Sequence, residues 1–199
     1  MTSMTAAIGQ KDLIPFATYK KGRDEYIRKM IAYKNDRRVR IDPNVSLLFE
    51  NRQTVLFQIQ ELVFSEDLTD AAEIAEYIDI YAALLPRSGE LSATLFIEID
   101  NQPVLENFLV KLKGIEHALF LYVNDEPVRA VFEEEHEERE FTTSVHYLKF
   151  PLSGAARTYL TTTASDVAKC RIVLDHAAMH VDVALGSATI KSLQADLNT

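Results

Sequence analysis

FENRQTVLFQIQELVF, residues 49–64, is the stretch whose reading decides the fold class. As a strand, Val55, Phe57 and Ile59 alternate with Gln58 and Gln60. The apolar run then continues through Leu62, Val63 and Phe64 with no turn signal, which is too long for a typical strand. At 100° per residue, Val55, Leu56, Ile59, Leu62 and Val63 gather on one face. Thr54, Gln58 and Glu61 gather on the other, with Glu50 near the same line if the helix extends that far. The spacing predicts a helix over 52–64.

What the polar stripe faces has two readings. The simpler is water, the usual surrounding of an amphipathic helix's polar side. Phe57 and Phe64 flank that side and widen the apolar surface, so the sharper reading buries the helix on most sides. Gln58 and Glu61 would then line a pocket or interface. A buried carboxylate needs a partner, and Arg52 or a basic residue of 37–40 is in reach to supply it.

Outward from this stretch, helices and strands are mixed. Pro15 suits the start of a helix over about 15–36, which carries Lys20, Lys21, Arg23, Arg28, Lys29 and Lys34. A further helix opens at Thr69–Asp70 and ends before Pro86 and Gly89. Another runs from Pro103 to Leu112, with Gly114 as its left-handed cap. Strands are expected at 45–49, 93–99, 118–123, 128–132, 144–150, 170–175 and 180–185, with a turn at 124–127. Several strands follow one another through short turns. The expected class is α+β, a single domain over 1–199 with three to five helices and a largely antiparallel sheet. It ends in a β-hairpin over about 170–185 and a short helix.

Composition narrows the function classes. A chain of 199 residues buries about 70% of its unfolded surface, so it needs no disulfide or metal to fold. The net charge of −9 argues against nucleic-acid and anionic-membrane partners. One cysteine, Cys170, excludes an internal disulfide and fits a reducing compartment. With no leader-like start and no long apolar run, the expected location is the cytoplasm. Gly-rich phosphate loops, G-x-S-x-G, H-E-x-x-H and Cys-x-x-Cys are all missing.

The histidines are tested by geometry. If 170–175 pairs with 180–185 about Ala177–Ala178, opposing numbers sum to 355. His176 then lies on the apolar face, while His180 faces Asp175 on the other. His146, in SVHYLKF, shares a strand face with Leu148 and Phe150, as a core histidine would. A metal site joining His146 to His176 across the sheet is the alternative. The run EEEHEERE (133–140) reads as a solvated loop.

RRV (37–39), FE-x-R-x-T (49–54), QIQE (58–61), LKGIE (112–116), SVHYLKF (144–150) and DH (175–176) together resemble a bacterial family of unknown function. Its genes often sit beside those for rubrerythrin and heterodisulfide-reductase-like iron–sulfur proteins. The resemblance implies a role near a redox or peroxide-defence system and names no reaction or cofactor. It puts weight on Arg38, Glu50, Arg52, Gln58, Gln60, Glu61, His146 and His176. The chain departs from the pattern at Ala177, where proline is expected, and in the heavier acidic run. Two functions follow as expectations. One is a non-catalytic accessory module binding a rubrerythrin-like or iron–sulfur partner, with homo-oligomerisation open. The other is an enzyme or sensor with a small-molecule or metal pocket around Arg52, Gln58, Glu61 and His146.

Overall fold

The structure, a computed structural model, describes residues 7–133 and 140–198. Most of the acidic run lies outside them. In chain order the elements are α1 Phe16–Asn35, β1 Arg38–Asp42, β2 Val45–Glu50, α2 Arg52–Ser65, α3 Ala71–Ala82, β3 Glu90–Ile97 and α4 Gln102–Lys111. Then follow β4 Leu119–Val123, β5 Glu126–Arg129, β6 Val131–Phe132, β7 Val145–Pro151, α5 Gly154–Thr162, β8 Cys170–His176, β9 Met179–Ala184 and α6 Ser187–Leu197. The class is α+β, and both sheets are antiparallel.

Sheet A has the order β1-β2-β3-β7-β6, and sheet B the order β5-β4-β8-β9. The single strand expected at 128–132 is two. Its first part pairs with β4 in sheet B and its second with β7 in sheet A. The change falls at Ala130, whose N–H is donated to the Leu119 carbonyl. A strand that passes between sheets in this way turns a corner and joins them along one side. On the other side β9 comes back beside β1.

Between the sheets lies the main core. Strand alternation sends Val39, Leu47, Phe49, Leu95 and Phe150 inward from sheet A, and Leu119, Leu121, Ile172 and Leu174 inward from sheet B. Helices α4, α5 and α6 add Leu109, Leu160, Ile190 and Leu193 to it. A second, smaller core gathers Val55, Ile59 and Val63 of α2 with Ile78 of α3, Leu84 and Ile8.

The helix over 52–64 forms at 52–65 because Asn51 caps it. Its side chain accepts from the N–H groups of Gln53 and Thr54, while the Thr54 hydroxyl accepts from the Asn51 N–H. In the C-terminal hairpin Asp175 opposes His180 and Arg171 opposes Ala184, the register expected from the apolar alternation. Two elements have weak sequence signals. In β1 the outward Arg38 and Arg40 mask a five-residue strand, and α5 is short and rich in threonine.

Candidate functional site

The outward face of sheet A is polar. Strand register lays three rows across it: Arg40, Ser46, Phe96 and Val145; Arg38, Leu48, Thr94 and Tyr147; Glu50, Ser92 and Lys149. The second core and α1 cover part of this face. Lys149 donates to the carbonyls of Ala83 and Leu85 and to the Ser92 hydroxyl, and Ser92 donates to the Leu84 carbonyl. These bonds fasten the end of α3 to β3 and β7.

Glu50 sits under this cover, 3% exposed. The Thr94 hydroxyl donates to Oε1 at 2.8 Å and the Thr54 hydroxyl to Oε2. Neither contact is an ion pair. One cation whose charge Glu50 influences is Lys34 of α1, whose ammonium lies 4.9 Å from the Phe57 ring centroid. Burial holds the Lys34 pKa below its ordinary value, and neighbouring Arg38 pushes it the same way against the pull of Glu50. Arg38 donates to the Ser46 hydroxyl and lies 5.2 Å from the Phe96 centroid. Burial raises the Tyr147 hydroxyl, and Tyr81, Glu50 and Glu133 add to the shift.

The other sequence-selected residues of α2 face α1, which packs antiparallel beside it. Phe16 stacks on Phe64, Tyr26 meets Phe57 edge-on, and Gln53 reaches the Met30 sulfur. Glu61 accepts from the Tyr19 hydroxyl at 2.6 Å and from Arg23 at 2.9 and 2.7 Å. Its partner is therefore Arg23, and not Arg52 or a residue of 37–40. Arg52 pairs with Asp12 at 2.9 Å. Gln60 is buried and spans the Ile14 backbone, accepting from its N–H and donating to its carbonyl. Gln58 is half-buried, one turn beyond Thr54.

His146 projects from the opposite face of sheet A, opposite Leu95 in the register. It is 4% exposed, meets Phe132 edge-on and shares a 3.0 Å hydrogen bond with the Thr142 hydroxyl. The structure thus does not bring His146 together with Arg52, Gln58 and Glu61. Both nitrogens of His176 meet backbone groups, the Lys113 carbonyl and the Ala178 N–H. Among the described residues no group of three or more His, Cys, Asp or Glu is placed to hold a metal ion.

Arg37, one of the basic residues of 37–40 but not among those the resemblance weights, has the largest fully buried side chain among the described residues. It donates to the Phe49 carbonyl, the Ser192 hydroxyl and Asp196 at 2.8, 2.5 and 2.5 Å. Glu116 is also buried, and its Oε2 has no hydrogen-bond partner.

Comparison with known proteins places this architecture. Residues 7–197 match the family described as protein of unknown function (DUF3501). The chain belongs to that family. A crystal structure of a novel protein of unknown function from Burkholderia pseudomallei K96243 shares 33% identity. It superposes with a TM-score of 0.88 over 96% of this chain and 100% of that one. Among curated proteins nothing matches.

Two further features of this DUF3501 chain bear on chemistry. A cavity of about 340 Å³ opens between the β4–β5 turn and α5, lined by Val123, Asp125, Glu126, Ala156 and Tyr159 among others. None of the residues picked from the sequence lines it. The one thiol, Cys170, is buried at the start of β8, and burial pushes its pKa up to about 11. Cys170 is therefore expected to resist alkylation by iodoacetamide at pH 7.5 in the folded protein and to react once urea unfolds it. Fast labelling of the native protein would contradict this burial.

The Glu61 cluster predicts a pH dependence. Burial alone would raise its pKa, but hydrogen bonds from Arg23 and Tyr19 outweigh burial and hold it below the ordinary 4.5. A depressed folded-state pKa stabilises the fold above the unfolded value and loses that contribution as pH falls through the folded one. The urea midpoint is expected to fall as pH drops below about 4.5, with a smaller fall in Glu61→Gln. An identical acid profile in the variant would remove Glu61 as the source.

Proposed function

We propose that this DUF3501 protein is a non-catalytic accessory module of a redox or peroxide-defence system in the cytoplasm. It docks an acidic partner, of the rubrerythrin-like or iron–sulfur kind, along the outward face of α1. The observation that carries this reading is the charge on that face. Of the 20 residues of α1 only Tyr19 and Met30 are fully buried. Lys20, Lys21, Arg28 and Lys29 are exposed, and Lys29 alone of these pairs with an acid, Glu25, among the described residues. Ile31, 55% exposed, adds an apolar contact. In a chain of net charge −9 this is a local inversion of sign, which favours an acidic partner in orientation and association rate.

A non-catalytic role is also supported by the side chains themselves. Arg52, Gln60, Glu61 and His146 are engaged with neighbouring groups of the same chain. No helix among the described residues is long and apolar enough to cross a membrane. The test is capture from the native host at low salt, where charged docking is strongest, comparing wild type with Lys20→Glu/Lys21→Glu/Arg28→Glu. Wild type is expected to retain an iron–sulfur or rubrerythrin-like protein that the variant loses, with unchanged melting. Capture that ignores the charge reversal, or returns neither kind of protein, would overturn the reading. A dimer disrupted by the same reversals would make the face a self-association surface instead.

A further inference from the structure

Independently of the docking face, Lys34 near the end of α1 and Arg38 on the outward face of sheet A are two cations whose hydrogen-bonding capacity is not filled among the described residues. Lys34 is half-buried, and its ammonium has no hydrogen-bond acceptor among the described residues. The acids whose charge it feels are held by other groups, Glu50 by Thr54 and Thr94, Glu61 by Tyr19 and Arg23. Arg38 spends one nitrogen on Ser46. The helical cover seals the Glu50 end of the face and leaves Arg40, Val145 and Tyr147 exposed at the other. Phe57 and Phe96, each beneath one of the two cations, are half-buried.

We propose that Lys34 and Arg38 together bind the carboxylate of a small monoanion whose apolar body rests against Phe57 and Phe96. The planar guanidinium fork matches a carboxylate in two hydrogen bonds, and the ammonium adds a third donor. An anion between two like charges also relieves the repulsion that a neighbouring guanidinium imposes on a desolvated lysine. Buried Glu50, whose charge Lys34 already feels, sets the charge limit, because a second negative charge on the ligand would add to the repulsion from it. The site therefore prefers a monocarboxylate to phosphate.

The test is a titration of the full chain with benzoate, followed by backbone amide shifts, with benzamide and inorganic phosphate as comparisons. Benzoate is expected to saturate shifts around Lys34, Arg38, Phe57 and Phe96, and to bind at least about tenfold more weakly to Lys34→Gln and Arg38→Gln. Lys34→Arg should keep the affinity within a few-fold. The wild-type shift map stands even if a variant folds poorly. Benzamide binding as tightly, phosphate binding more tightly, shifts centred elsewhere, or no saturation would each overturn the proposal.

Discussion

Arg37→Met is expected to destabilise the protein by about 3–5 kcal/mol, because it breaks a buried ion pair from one side. The Arg37 side chain is fully buried and that of Asp196 is 13% exposed, with 2.5 Å between them. The same guanidinium donates to Ser192 and to the carbonyls of Phe49 and Glu50, and lies 5.6 Å from the Tyr33 ring centroid. Asp196 accepts in turn from Asn51, the residue that caps α2. One side chain thus ties α6 to the end of β2 and the start of α2. Methionine fills the space but strips Asp196 of its cation and leaves the acceptors unmet. The check is urea unfolding, with the midpoint falling and the slope unchanged. Arg37→Met/Asp196→Leu should recover much of the loss, since removing both charges removes the stranded one. A loss below about 1 kcal/mol for the single variant would show that the pair is solvated.

Arg37 also shows where reading the sequence stops. It stands beside Arg38 in RRV, and nothing local distinguishes them. Arg38 belongs to β1 and points outward with its strand. Arg37 precedes the strand and turns inward to a partner 159 positions away. Glu61 repeats the lesson. Periodicity placed it on the polar side of α2, but only the antiparallel packing of α1 selects Arg23 as its partner. What was legible depends on local period alone, namely the helix after Asn51, the hairpin register through Asp175 and His180, and His146 on the apolar side of its strand. What was not legible depends on two distant segments meeting. The passage of 126–132 between sheets and the rows joining Arg38, Thr94 and Tyr147 are of that kind. So is the candidate site, of which the sequence picked Arg38 and Glu50 but not Lys34 or Thr94.

Phe49→Ala is expected to cost about 3–5 kcal/mol, the range for removing a buried ring that its surroundings cannot replace. Phe49 and Phe150 are fully buried on the inward face of sheet A, with ring centroids 6.1 Å apart. They lie on strands β2 and β7, which are separated by β3, and meet only because Ala93 lies between them. Phe49 opposes Ala93, Ala93 opposes Leu148, and Phe150 opposes Leu91. A methyl group at the central position leaves the room into which both rings lean. In the native protein Ala93→Leu should therefore overpack and cost about 1–3 kcal/mol. In the Phe49→Ala background the same change fills the vacated space and should restore part of the stability. That reversal of sign separates a packing partnership from two independent core residues, whose effects would add. If Ala93→Leu destabilises both backgrounds equally, the rings do not share the space above β3, and the strand register that places them there is wrong.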